Sequence, residues 1–324
     1  MTAAPPLAAV VALASAYALG ARRLWRRAGS GRVVHTGQAV AFAAGLLVVA
    51  AALAGPLDGA AHHSLVAHMF QHVALMSVAA PLLVAGTPVP ALLWALPDAP
   101  RRAAARWWRW ANHSAAGRAW PRWTAAALLA HVAAVWGWHV PRLYDAAMTQ
   151  PGLHVLEHAC FLGTAAALWW TVMAARHRAS FGFGVLVVFA TALQGTLLGA
   201  AMTVAGHPWY AAYARGASAL EDQQVAGVVM WAIGGFAAVV AAAVLFASWL
   251  RTVERLRPAS APTPGRGRPL LLQEGAGGQV PARLPRHHAG HGREHENKHA
   301  EGIEDGHDVH AQLLGDDVLT SRQQ

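Results

Sequence analysis

Residues 64–86 read SLVAHMFQHVALMSVAAPLLVAG, an uncharged, largely apolar run that carries His68 and His72 near its start. A helix needs about 20 apolar residues to cross the hydrocarbon layer of a bilayer, and this run meets that length. The two histidines stand four residues apart, so both project from one helical face, one turn from each other. An imidazole held in lipid must find a partner, and the run therefore predicts a membrane helix with a polar task at one end.

The rest of the chain repeats the pattern. Uncharged apolar runs cover residues 4–20, 36–56, 64–86, 123–140, 153–175, 181–205 and 224–250, and Glu157 is the only formal charge within them. AVILMFWYC residues make up 55% of the 324 positions and DEKR residues 13%, a balance that predicts a membrane-embedded chain. The fold expected is all-α, a polytopic transmembrane bundle of about seven spans. The first run resembles a signal peptide in length, but it lacks a positive start and is followed by Arg22, Arg23, Arg26 and Arg27, so it reads as a retained helix.

Charge orients the bundle. The net charge of +9 rests on arginine, because Lys298 is the only lysine. Arginines cluster at 22–32, 101–122, 176–178 and 251–257, on alternate connections, while the other connections hold Arg142 and Arg215 beside Asp58, Asp145, Glu221 and Asp222. Positively charged loops favour the cytoplasm, which places the N-terminus outside and the C-terminus inside a cell inner (plasma) membrane. The same basic balance on a soluble face would point to nucleic acid, but arginines flanking apolar runs exclude that reading. Trp107, Trp108 and Trp110, set among those arginines, form an aromatic belt at the headgroups. The stretch 88–97 is apolar, proline-rich and too short to cross, so it lies at the inner interface or re-enters.

Two domains follow: a helical membrane domain, 1–257, and a tail, 258–324. The tail is rich in Pro, Gly, charge and histidine, with too little apolar surface to offset the entropy of ordering, so it reads as disordered and cytoplasmic. Its seven histidines, His287 to His310, either buffer metal weakly or are simply solvated. Cys160 is the single cysteine, which excludes an internal disulfide and any cysteine-based copper motif.

Placed at depth by this topology, the polar residues converge on the outer side. His62 and His63 lie in the second connection, His68 and His72 begin the third span, and His139 ends the fourth. His154, Glu157 and His158 open the fifth, while His207 and Tyr210 follow the sixth and Asp222, Gln223 and Gln224 start the seventh. His154 and His158 repeat the four-residue spacing, so two helical faces each offer two imidazoles. Facing pairs can share Cu, Zn or haem iron; equally, helix-to-helix hydrogen bonds satisfy them without metal. Met69, Met148, Met202 and Met230 fall in the same half, and thioether favours Cu(I), although each methionine taken singly reads as packing. Glu157 reads as a group that tunes the histidines, relays protons or snorkels to the interface. His131, alone in mid-span, reads as a hydrogen-bonded packing residue. The candidate metal ligands are thus His68, His72, His154, His158, His139, Glu157, Met69 and Met202.

Three stretches then carry a resemblance: His68-Met-Phe-Gln-His72 leading into Ala80-Pro-Leu-Leu83; Trp138-His-Val-Pro141 through Tyr144-Asp145 to His154 and Glu157-His158; and Asp222-Gln-Gln-Val-Ala-Gly227 with Met230-Trp231. Together they resemble the CtaG family of caa3-type cytochrome c oxidase assembly factors, over roughly residues 62–250. The resemblance implies a multi-span membrane protein that is not an enzyme, assists formation of the copper centre, and has cytochrome c oxidase subunits as partners. It also implies that His68, His72, His139, His154, Glu157, His158 and Asp222 occupy motif positions. The histidine-rich tail departs from the family pattern. The function expected is a copper-holding assembly factor, with Cu(I) as the cargo. The rivals are a membrane cytochrome b with two histidines on haem iron, and a copper or proton transporter, which the scarcity of polar residues below the outer cluster disfavours.

Overall fold

The computed structural model describes residues 4–116, 120–174, 178–214 and 216–255, and every regular element among them is helical. The chain divides into two units, Met1–Leu250 and Arg251–Gln324; of the second, only residues 251–255 are described. The tail histidines, with Arg118, Arg176 and His177, lie outside the described residues.

Six helices are long and apolar enough to cross a membrane: Pro5–Ala28, Thr36–Ala54, Leu65–Ala85, Pro151–Met173, Gly182–Thr203 and Ala219–Arg251. They correspond to α1 (Ala4–Ala28), α2 (Thr36–Ala54), a composite third span, and, later in the chain, α10 (Pro151–Ala174), α11 (Arg178–Thr203) and α12 (Ala219–Arg255). The expected fourth span is the helix α8 (Trp120–Trp138), as long as α2 at 19 residues but more polar, because it contains Arg122, His131 and tryptophans. Short helices join these rods: α3 (Pro56–Ala61), α6 (Pro88–Ala95), α7 (Asp98–Ala116) and α9 (Pro141–Thr149).

The third span is built of α4 (Leu65–Val73), one π-helical turn (Ala74–Ala79) and α5 (Ala80–Ala85). Pro81 explains the π turn. Proline has no N–H, so neither an α bond to Ser77 nor a π bond to Met76 can end on it; the Ala80 N–H instead reaches back to Leu75. The Met76 carbonyl left over accepts a hydrogen bond from the Trp169 indole of α10 at 3.2 Å. That bond ties the third span to the fifth, the two that carry the paired histidines, and α10 also packs along the π turn and α5.

Elsewhere close approach depends on glycine. A Cβ at Gly20 would fall 1.7 Å from the Ala91 carbonyl oxygen, so α6 can press onto α1 only here. The short apolar segment expected at the interface is thus a two-turn helix held against α1, with Arg23 donating to the carbonyls of Trp94 (2.9 Å) and Ala95 (3.2 Å). On α11 and α12, Gly199 and Gly227 meet back to back, and a Cβ on Gly227 would fall 2.4 Å from the Gly199 oxygen.

The two ends of the bundle differ in chemistry. At one, Arg27 and Arg101 lie over the Trp94 ring, and Trp107 and Trp110 are exposed. At the other, Asp222 caps α4: its carboxylate accepts from Ser64 Oγ at 2.9 Å and from the Leu65 N–H at 2.6 Å. Asp145 accepts from the N–H groups of Ala211 and Ala212 (3.2 and 3.0 Å), and Gln223 accepts from the Trp209 N–H at 2.6 Å. These bonds lace the loop after α11 to α9 and α12, and α12 to α4, around the histidines.

Candidate metal centre

The buried face of α4 is Leu65, His68, Met69, Gln71, His72 and Val73, while Phe70 faces outward. On α10 the buried face is His154, Glu157, His158, Phe161 and Ala165, while Val155 and Leu156 are exposed. Both follow the i, i+3, i+4 rule, and the two faces meet. His68, His72 and Glu157 are fully buried, and His154, His158 and His139 nearly so. Beneath them lies an apolar floor that includes Met69, Val135, Tyr144, Phe161, Leu198, Met202, Tyr210 and Met230.

The rings crowd into one cluster. His68 lies 4.4 Å from His72, 5.1 Å from His154 and 5.7 Å from His158, centroid to centroid; His72 lies 5.3 Å from His158 and 6.0 Å from His139. One nitrogen each from His68, His154 and His158 falls within 4.8 Å of the others, and the same holds for His68, His72 and a Glu157 oxygen. The half-buried His62 stands edge-on to His154 at 6.2 Å, at the solvent side, with His63 exposed beside it.

Hydrogen bonds fix how His68 is used. Its Nδ1 lies 2.9 Å from Tyr213 Oη and 2.8 Å from Tyr144 Oη. Tyr213 donates its own proton to the Ala61 carbonyl, so toward His68 its oxygen accepts. The Nδ1 therefore carries the hydrogen, and Nε2 presents its lone pair to the cluster, 3.3 Å from Nε2 of His154. Burial pushes the hydroxyls of Tyr144, Tyr210 and Tyr213 well above the usual tyrosine range, so all three stay protonated at neutral pH.

The remaining polar atoms lack partners. Both ring nitrogens of His72, both carboxylate oxygens of Glu157 and Nε2 of His158, five atoms in all, are buried without a hydrogen bond, as is Oε1 of Gln71. His72 Nε2 and Glu157 Oε1 approach to 3.8 Å, beyond hydrogen-bond range. Native interiors rarely leave such groups bare, and five together on two facing helices mark a place where something else supplies the partner. A cation would give a partner to Glu157, to His158 and to one nitrogen of His72, whose other nitrogen carries the ring's hydrogen. Two nitrogens bound tetrahedrally at 2.0–2.1 Å stand about 3.3 Å apart, the separation of the His68 and His154 Nε2 atoms.

Of the residues singled out in the sequence, His68, His72, His154, His158 and Glu157 meet here, and His139 adjoins them with its Nε2 3.5 Å from Met69 Sδ. Met202 is fully buried in the apolar floor, where it packs. His131 bonds Thr164 Oγ1 at 3.1 Å, the packing role expected of it, and His207 is exposed. Asp222 holds the Ser64 hydroxyl and the Leu65 N–H, and Gln223 the Trp209 N–H, rather than the cluster. Sequence reasoning gave no site role to three participants, two of which, Gln71 and Tyr144, stand in the motifs quoted above. Tyr213 and Tyr144 anchor His68, and buried Gln71 donates to the Ala52 carbonyl at 2.6 Å. The i+3 step from His68 to Gln71, on the face that also carries His72, was the available sign for Gln71; Tyr213, in a loop, offered none.

Fold and site together define a helical membrane protein with a buried histidine and carboxylate cluster at one end of its bundle. The family model of cytochrome c oxidase caa3 assembly factors (Caa3_CtaG) matches residues 15–252, which include every member of the cluster. The chain belongs to that family. Neither the curated proteins nor the solved structures gave a significant match.

Proposed function

We propose that the chain holds copper, as Cu(I), in the cluster of His68, His72, His154, His158 and Glu157, and passes it to a caa3-type cytochrome c oxidase during assembly. The observation that carries this reading is the set of unpartnered nitrogens and oxygens on α4 and α10 around two Nε2 atoms 3.3 Å apart. A proton shared between His68 and His154 would explain that single distance and leave His72, His158 and Glu157 bare. A metal gives His72, His158 and Glu157 a shared partner, through one nitrogen of each ring.

The arginine-rich end belongs in the cytoplasm of the cell that houses the oxidase, by the distribution of positive charge, so the cluster opens outward across the plasma membrane. His63, His62 and His154 step from exposed to half-buried to buried, a path for the ion from the surface inward. Ligand exchange accomplishes delivery, and no turnover of a substrate is involved. Haem fits the same residues poorly. Four imidazoles with centroids 4.4–5.7 Å apart leave no slab for a porphyrin among them.

The test is the copper content of the oxidase. In cells lacking this chain and complemented with a His68→Ala/His72→Ala variant, the caa3-type oxidase is expected to contain haem but to be depleted of copper and of activity. Oxidase isolated from those cells with a full copper complement would refute the proposal.

A further inference from the structure

Beside the histidine cluster stands a second, chemically different pair. His139 follows the last turn of α8 and is 3% exposed, and its Nδ1 lies 2.6 Å from the Val135 carbonyl oxygen. A carbonyl can only accept, so Nδ1 carries the ring's hydrogen and Nε2 of the neutral imidazole presents a lone pair. That lone pair points at Sδ of Met69, fully buried, at 3.5 Å. Two lone pairs facing each other in a dry interior are not a hydrogen bond and gain nothing from contact.

A soft cation between them turns the contact into an attraction. With metal–nitrogen and metal–sulfur bonds of about 2.0–2.1 and 2.3 Å, a tetrahedral bite places nitrogen and sulfur about 3.6 Å apart, against 3.5 Å here. The pair is also held in place. Tyr210, buried beneath it, donates to the carbonyl of His139 at 3.2 Å, and Met69 sits on the same helical turn as His68. His72 is the neighbour of both sites, its ring 4.4 Å from His68 and 6.0 Å from His139, with neither nitrogen hydrogen-bonded.

We infer that Met69 and His139 form a second, Cu(I)-selective site next to the histidine and carboxylate cluster, with His72 placed to lend its one lone-pair nitrogen to either site in turn. The inference rests on the copper-holding reading and adds a division of labour to it. The histidine and carboxylate site accepts borderline ions such as Zn(II) or Cu(II) as well as Cu(I), because imidazole and carboxylate do not discriminate strongly. The thioether site discriminates, because sulfur favours the monovalent, soft ion. An ion moving from His68 through His72 to Met69 passes from hard-tolerant to soft ligation, which selects the oxidation state of the cargo.

The test is anaerobic loading of the full chain in detergent with Cu(I) from a competing chelator, read by copper per chain and by X-ray absorption at the copper edge. Wild type is expected to bind two Cu(I) with a copper–sulfur distance near 2.3 Å in the spectrum. Met69→Leu keeps side-chain volume, and its helical circular dichroism and elution profile report that it folds. It is expected to bind one Cu(I) with a nitrogen and oxygen shell only. A wild-type spectrum without sulfur overturns the second site while copper retained on nitrogen leaves the copper-holding reading intact. A copper–sulfur signal that survives Met69→Leu overturns the assignment to Met69. Wild type that binds no copper at all overturns both.

Discussion

At His68 the Nδ1 hydrogen is committed to two tyrosine oxygens, and this sets the direction of the Nε2 lone pair. Outer partners of metal-binding histidines typically contribute 10- to 100-fold in metal affinity. The Tyr144→Phe/Tyr213→Phe double variant is therefore expected to weaken copper binding by about that factor, measured by competition with a chelator, without abolishing it. Unchanged affinity would mean that the tyrosines only pack. The same burial gives a pH dependence with a definite sign. The tyrosine hydroxyls of the unfolded chain ionise near pH 10.0, whereas Tyr144, Tyr210 and Tyr213 ionise well above that in the fold. Their contribution is fully present below pH 10 and falls as pH rises beyond it, because the unfolded chain then releases protons that the folded one retains. Thermal melts at pH 9 and pH 11 should show the loss at the higher value. Sequence spacing exposed the histidine pairs because the helical period is rigid. Tyr213 stayed hidden because its approach to His68 spans 145 positions through a loop with no period to read.

At the scale of elements, the site depends on how α4 and α10 are pinned. Asp222 accepts from both Ser64 and Leu65, so it caps the first turn of α4 from another helix. Asp222→Ala is expected to cost about 1–2 kcal/mol of stability, the usual cost of a lost helix cap, and to lower copper affinity by loosening the turn that carries His68. A melting temperature equal to wild type would show that the cap is idle. Trp169→Phe removes the donor to the Met76 carbonyl and leaves a part-buried acceptor bare, at a cost of about 1 kcal/mol, again read by thermal unfolding. The run at 64–86 was legible as a crossing helix from its length and lack of charge. Its π turn was not read from the sequence, although its cause, Pro81, is present there, because a proline inside an apolar run gives no sign of which neighbour will take up the freed carbonyl.

At the scale of the molecule, charge and histidine segregate to opposite ends of one bundle. The alternation of arginine-rich and arginine-poor connections predicted this, and the contacts of Arg23 and Arg101 at one end and of Asp222, Asp145 and His68 at the other agree with it. Reporter fusions after residue 255 are expected to be active only when the reporter works in the cytoplasm, and fusions in the loop at 206–218 only when it works outside. The reverse pattern would put the cluster on the wrong side to receive an external ion. The helical class and the convergence of histidines were readable because hydropathy and spacing are properties of the chain itself. The number of apolar crossings was less so: α8 has crossing length but takes its polarity from Arg122, which is exposed, and from His131, which Thr164 partners from α10. The most direct measurement is copper per chain in protein purified anaerobically, wild type beside His68→Ala/His72→Ala. The account predicts copper in the first and its loss in the second; equal copper in both, or none in wild type, would contradict it.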